Sequence, residues 1–278
     1  MSEYLQDKVI VITGAASGFG RLLAEKTAAG GAKVVGVDID GDALQSLVET
    51  IHAAGHSATH VVADVTDIDH MTAAIAHAIS TYGAVDVLVN NAGIMPLAFF
   101  ADHAVAIRQW HKAIDINLKG VVNGISAVYD QMISQGRGQV VNISSIYGNA
   151  GTEGSGVYSA TKAAVGVLSD SLRIEARGKI KVTTVRPTGV TGTNLGSGVV
   201  NQAASLGIVG QHATEMAERI QNFVAGTLPP EQTDRDSIEY WLINPDDLTD
   251  AIIGVIDQPW GVNLSDLTVR ASGEVYVH

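Results

Sequence analysis

The chain has 278 residues, 46% of them hydrophobic, a net charge of −12 at pH 7 and no cysteine. This length suits one α/β domain with a substantial core, the acidic balance argues against a nucleic-acid partner, and the missing cysteines exclude disulfide and thiol chemistry. No apolar run approaches the ~18 residues of a membrane span, and residues 1–7 lack the basic start and apolar centre of a secretory signal, so a cytoplasmic protein is expected.

The first predicted element is Lys8-Val-Ile-Val-Ile-Thr13, a β-branched run that reads as a buried strand. It runs into Gly14-Ala-Ala-Ser17-Gly18-Phe19-Gly20 and then into a helical pattern. Glycines at a strand–helix turn let the backbone approach a pyrophosphate, whose charge sits at the helix N-terminus. The second strand, Lys33-Val-Val-Gly-Val37, ends in Asp38. A carboxylate there accepts hydrogen bonds from adenosine ribose hydroxyls and repels a 2′-phosphate. A glycine triplet alone is weak, but between strand and helix, with an acid closing the second strand, it points to a dinucleotide site.

Further strands are predicted near 58–63, 86–90, 138–144, 180–186 and 267–271, with helices over 41–54, 67–82, 103–135 and 156–177. This alternation implies a doubly wound parallel sheet of seven strands with right-handed crossovers. The expected order is 3-2-1-4-5-6-7, with ligands at the carboxyl ends of the strands. Without repeats, low-complexity segments or a long linker, residues 1–278 form one domain. In the helix over 156–177, Tyr158 and Lys162 are four apart and share a face. A cation beside a phenol lowers its pKa from about 10, toward proton exchange with an alcohol or ketone.

The stretch 194–244 breaks the alternation. It is roughly 50 residues long, against a median connection of about 4–6. Met216, Ile220, Phe223 and Val224 form an apolar stripe at helical spacing. The stripe reads either as core packing or as part of an extended substrate lid over a bulky apolar ligand. The nine histidines show no metal-ligand spacing, and no catalytic metal is expected.

Taken together, Thr13-Gly-x-x-x-Gly-x-Gly20, Asp64-Val65, Asn90-Asn91-Ala92-Gly93, Asn117, Ser144-Ser145 and Tyr158 with Lys162 resemble the short-chain dehydrogenase/reductase family over nearly the whole chain. The resemblance implies a Rossmann-type fold and the catalytic set Asn117, Ser145, Tyr158 and Lys162. Ser145 is selected over Ser144 because the family's serine lies thirteen residues before its tyrosine. NAD would contact Gly14, Ser17, Gly18, Phe19 and Gly20, then Asp38, Asp64 and Val65 at the adenosine end. Asn91, Ala92, Gly93, Tyr158, Lys162, Pro187 and Val190 follow toward the nicotinamide. The family's Pro-Gly after the sixth strand is here Arg186-Pro187-Thr188-Gly189-Val190, one residue longer. The loop threonine against the nicotinamide is therefore Thr191 or Thr193, with Thr193 carried as the candidate. Lys162 would also bind the nicotinamide ribose, and Asn117 would hold a water that relays the proton.

Met95, Tyr147 and Glu153 follow strand ends and join Ser145 and Tyr158 as substrate-binding candidates. The implied activity is NAD(H)-dependent interconversion of a secondary alcohol and a ketone, with a bulky or aryl group. An amino alcohol is a narrower version resting on Glu153, Glu215 and Glu218. The C-terminal stretch 263–270 resembles NADP-using family members, which keeps an NADP(H)-dependent carbonyl reductase as the alternative. Asp38, with no basic residue at Ala15, Ala16, Ser17 or Ile39, argues against it. A non-catalytic NAD-sensing protein is disfavoured by the complete Asn-Ser-Tyr-Lys set. The helices over 103–135 and 156–177 resemble those that pair subunits in the family, which implies a homotetramer, with a dimer next.

Overall fold

Alternation within the first strand divides the molecule into two faces. β1 (Val9–Thr13) is buried throughout, and successive side chains of a strand point to opposite sides. Ile10 and Ile12 pack with Leu23, Leu44, Leu248 and Ile252 on one face. Val9 and Val11 pack with Met71, Val128, Met132 and Leu172 on the other. Both faces are covered by helices, so the strands read as near-continuous apolar runs. The computed structural model describes residues 4–191 and 194–278.

The sheet has seven parallel strands in the order β3-β2-β1-β4-β5-β6-β7, as the alternation implied. They are β1, β2 (Lys33–Asp38), β3 (Ser57–Val62), β4 (Val87–Asn90), β5 (Gly138–Ile143), β6 (Ile180–Pro187) and β7 (Asp266–Val269). The register is regular through the centre, with Val11 opposite Val35 on one side and Leu88 on the other. Helices α1 (Gly18–Ala29), α2 (Gly41–Ala53) and α3 (Ile68–Tyr82) connect the first four strands. Asp40 starts α2 by accepting from Ala43 N–H, and Asp67 starts α3 by accepting from Asp69 and His70 N–H. Gly83, in the left-handed conformation, ends α3.

The helix expected over 103–135 is continuous in direction but not in pitch. α4 (His103–Ile114) leads into a π-helical turn, Asp115–Lys119, and then α5 (Gly120–Gln135). α6 (Gly156–Glu175) follows β5. A buried polar chain ties these layers: Asn90 Nδ2 donates to Asn142 Oδ1 (2.8 Å), and Asn142 Nδ2 donates to Ser169 Oγ (2.9 Å).

From 194 to 244 the chain forms three short 3₁₀ turns, then α7 (Ala213–Ala225) and α8 (Pro230–Thr233). Ala204, Ile208, Val209, Met216 and Trp241 from this stretch pack with Leu97, Ile146, Tyr147 and Tyr158. Core packing thus holds part of the apolar stripe, Met216 being buried while Val224 is exposed. α9 (Pro245–Ile256), capped by Asn244, returns the chain to the sheet. Among the described residues no helix is long and apolar enough to cross a membrane.

Candidate active site

The glycine-rich turn after β1 is shaped by what side chains would hit there. Gly14 has φ +68°, and a Cβ on it would lie 2.9 Å from Ala92 Cα. On Gly20 a Cβ would come within 2.2 Å of Gly14 O and 2.5 Å of Asn91 Nδ2. The turn is therefore packed against the chain leaving β4. Thr13 Oγ1 accepts from Asn91 N–H (3.0 Å) and Ala92 N–H (3.1 Å), and Asn91 Nδ2 donates to Thr13 O (2.9 Å) and Gly14 O (3.2 Å). Gly18 differs: its φ is +56°, and nothing lies within 4 Å of an added Cβ. Its bare backbone opens into the cleft at the N-terminus of α1.

Asp38 closes β2 at the cleft rim. Its carboxylate accepts from Ala16 N–H (3.1 Å), Ile39 N–H (2.7 Å) and Asp40 N–H (3.2 Å), which fixes its position. The backbone N–H of Thr66 holds Asp64 below the usual carboxylate range. Asn91 Oδ1 is buried without a partner among the described residues. A buried acceptor left unpaired is costly, and this one belongs to the carboxamide that ties the glycine turn to the chain leaving β4.

At the other end, α6 presents Tyr158 and Lys162 beneath the end of β5. Ser144 and Ser145 separate in role here. Ser144 Oγ donates to Lys162 O (2.7 Å), which makes it a brace between β5 and α6. Ser145 stands beside the Tyr158 phenol and accepts from Tyr147 N–H (3.3 Å). Lys162 Nζ donates to Ile143 O (2.9 Å) and lies 5.9 Å from the centre of the Tyr158 ring. Burial pushes Tyr158 up to about 12, partly opposed by the Ser145 hydrogen bond, and pushes Lys162 down to about 8. Burial is the largest influence on Tyr158, so its pKa is raised where the helix spacing alone predicted it lowered.

Asn117 sits on the π turn, fully buried. Its Oδ1 accepts from Ile94 N–H (2.9 Å), and its Nδ2 donates to Ile94 O (2.8 Å) and Thr161 Oγ1 (3.3 Å). The widened turn delivers this carboxamide against the β4 exit and α6 together. Gly93 runs between: a Cβ there would be 3.3 Å from Asn117 Oδ1 and 3.5 Å from Lys162 Nζ.

One cavity of about 980 Å³ joins the two ends. Every cofactor candidate lines it except Thr193, which lies outside the described residues. Ser145, Met95, Tyr147 and Tyr158 line the same cavity. Glu153 does not. It is exposed, and its backbone packs closely against Gly207. Glu215 and Glu218 also stay off the cavity, and Glu215 is paired with Arg219 (2.6 Å). The amino-alcohol expectation loses its carboxylates. Tyr276 and Leu242 line the substrate end without having been anticipated; both come from parts of the chain whose spacing carries no motif. Among the described residues no group of three or more potential ligands is placed to hold a metal.

The cleft fits a nicotinamide dinucleotide: an open glycine at a helix start for the pyrophosphate, an unpaired buried carboxamide oxygen, and a fixed carboxylate at the ribose position. Comparison with known proteins agrees. A family profile described as short chain dehydrogenase matches residues 8–204. The 2,5-dichloro-2,5-cyclohexadiene-1,4-diol dehydrogenase LinX of Sphingobium indicum is 37% identical over 192 residues, 68% of this chain and 76% of the relative. Two solved structures at 26% identity share the fold. A short-chain dehydrogenase/reductase from Burkholderia phymatum in complex with NAD superposes with a TM-score of 0.75, covering 95% of this chain and 89% of that one. The closed form of serine dehydrogenase complexed with NADP+ gives 0.76 and covers 97% of each chain. With its sheet order, its cleft and its matched residues, this chain belongs to the short-chain dehydrogenase family and is one of its oxidoreductases.

Proposed function

We propose that the protein interconverts a secondary alcohol and a ketone, with NAD(H) preferred over NADP(H). The observation that carries this reading is the meeting of Ser145, Tyr158 and Lys162 at the end of a dinucleotide cleft. A bound nicotinamide supplies the hydride acceptor or donor. The protein's part is proton handling and charge stabilisation. In oxidation, the Tyr158 oxygen takes the hydroxyl proton once the phenol is ionised, a state that the neighbouring Lys162 ammonium favours and burial opposes. Ser145 donates a hydrogen bond to the substrate oxygen as alkoxide character develops. Lys162 sets the charge beneath the phenol and binds the nicotinamide ribose. Asn117, whose carboxamide is taken up by Ile94 and Thr161, acts as a positioning residue for the β4 exit and α6.

The NAD preference rests on Asp38, since a carboxylate held by three backbone N–H groups cannot swing away from a 2′-phosphate. Arg21, a cation on α1, is engaged by Glu25 (3.0 Å). Met95, Leu97, Met216, Ile220 and Leu242 give the substrate end apolar walls, which suits a bulky or aryl alcohol. In this reading 194–244 acts as a lid that closes over the substrate, and the active form is a homotetramer in the cytoplasm. The deciding experiment is a comparison of kcat/KM with NAD and NADP in the wild type and in Asp38→Ala. A clear preference for NAD that narrows in the variant is expected; equal values in the wild type would remove the assignment of Asp38.

A further inference from the structure

Three phenols, not one, meet at the substrate end of the cleft. Tyr147 follows Ser145 on the turn after β5, with its ring edge-on to Tyr158 and the ring centres 5.5 Å apart. Tyr276 arrives from the other side, on the C-terminal tail. Its hydroxyl lies over Gly189, where an added Cβ would be 2.4 Å from it. The tail is fixed in that position twice: Arg270 Nη2 donates to Tyr276 O (3.2 Å), and Val277 N–H donates to Ile208 O (3.2 Å).

Tyr147 and Tyr276 both line the cavity, and neither hydroxyl has a hydrogen-bond partner among the described residues. Burial pushes Tyr276 up to about 12 and Tyr147 well above the ordinary range, so both are neutral donors and acceptors at any working pH. Met95, Leu97, Met216 and Leu242 add apolar lining to the same cavity. A ligand that fills this space displaces the water that would serve the two hydroxyls. If the ligand offers only carbon there, both are left unpaired, and sites built to bond a substrate oxygen reject such analogues strongly.

We propose that Tyr147 and Tyr276 form a second oxygen-binding subsite, and that the substrate is a diol. The inference rests on the dehydrogenase reading above. The reacting carbon loses hydride to the oxidised nicotinamide dinucleotide, its hydroxyl loses a proton to Tyr158, and a C=O bond forms. The second hydroxyl is held, unchanged, and the product is a hydroxyketone.

The test uses the full chain with saturating NAD and matched alcohols: 1-phenylethane-1,2-diol against 1-phenylethanol, and cyclohexane-1,2-diol against cyclohexanol. The wild type is expected to favour the diols in kcat/KM by on the order of 10²-fold or more. Tyr276→Phe and Tyr147→Phe should each cut that ratio by about tenfold. A purely structural role would depress both alcohols alike and leave the ratio in place. Equal kcat/KM for diol and mono-alcohol in the wild type, or a ratio unmoved in both variants, would overturn the subsite while the dehydrogenase reading stands. No reduction of NAD or NADP by any of the four alcohols would overturn both.

Discussion

Burial moves the two titrating residues of the site in opposite directions, Tyr158 up to about 12 and Lys162 down to about 8. The first consequence is chemical. Tyr158→Phe removes the proton acceptor but keeps the ring, so kcat should fall by about 10²–10⁴-fold while NAD binding, followed by fluorescence, stays close to wild type. Activity within a few-fold of wild type would rule Tyr158 out as the acid–base group. The second consequence is thermodynamic. Below pH 8 the fold holds Lys162 charged in a dry site and the penalty is complete. Between pH 8 and the ordinary lysine value of 10.5 the unfolded chain binds more protons than the folded one, so stability rises with pH. Urea unfolding from pH 7 to 9.5 should show the wild type gaining on Lys162→Met by on the order of 1–2 kcal/mol; a constant difference would contradict a depressed lysine. Helix spacing put Tyr158 and Lys162 on one face, and the family resemblance singled out Ser145; the structure brings the three side chains together. The direction of the Tyr158 shift was not readable, since it depends on how much water the fold removes. Glu153 differs: it follows a strand, but position in the chain does not fix which way a loop side chain faces, and this one is exposed and off the cavity.

Elements were legible where one period ruled them. The strands of the sheet, α2, α3 and α6 fall within a residue or two of their apolar patterns, because burial on one or both faces forces that pattern. The π turn at Asp115–Lys119 escaped notice since one widened turn leaves the helix direction, and most of its apolar stripe, intact. Within 194–244 the stripe of α7 was visible, but the three 3₁₀ turns before it escaped for the opposite reason, since they repeat no period. At this scale the glycine turn after β1 makes a separable prediction. Gly20→Ala drives a methyl into Gly14 O, an overpacking worth about 1–3 kcal/mol, so thermal stability should drop before any ligand is added. Gly18→Ala meets open space and incurs only the left-handed backbone cost of about 1–2 kcal/mol, yet its methyl occupies the approach of the pyrophosphate. NAD affinity should fall at least tenfold in Gly18→Ala with the smaller change in Tm. The reverse ranking, Gly18→Ala melting lower and still binding NAD, would refute this division of roles. Hydrogen exchange tests the lid in the same experiment series: amides across 194–244 should gain protection when NAD and an aryl alcohol are both present, and uniform protection without ligand would mean that no lid closes.

For the molecule as a whole, a net charge of −12 sits on a protein that must bind an anionic cofactor. Local backbone donors at the start of α1 therefore have to act against the overall field, and NAD affinity should tighten modestly as salt screens that field. The apolar surface points to a further level of structure. Val105, Ile107 and Ile114 on α4 and Val122 on α5 are exposed, and Val167 and Ile174 are 66% and 72% exposed on α6. α4 and α6 pack together, so these side chains lie on neighbouring helices. Ala160 and Ala163, also exposed on α6, are small enough to let a second helix pair approach closely. A two-fold contact is self-complementary, and a stable one needs about 800 Å² from each partner, an area that helices of 12, 16 and 20 residues can supply. One such contact joins two chains, and the proposed tetramer adds a second two-fold contact, so we expect light scattering at micromolar concentration to give the mass of four chains. Replacing Val167 and Ile174 together with glutamate places like charges across the axis, and should lower the mass to two chains or one while the far-ultraviolet circular dichroism is kept. A wild-type protein with the mass of one chain would refute the assembly; a mass unchanged by the double substitution would move the contact off α6.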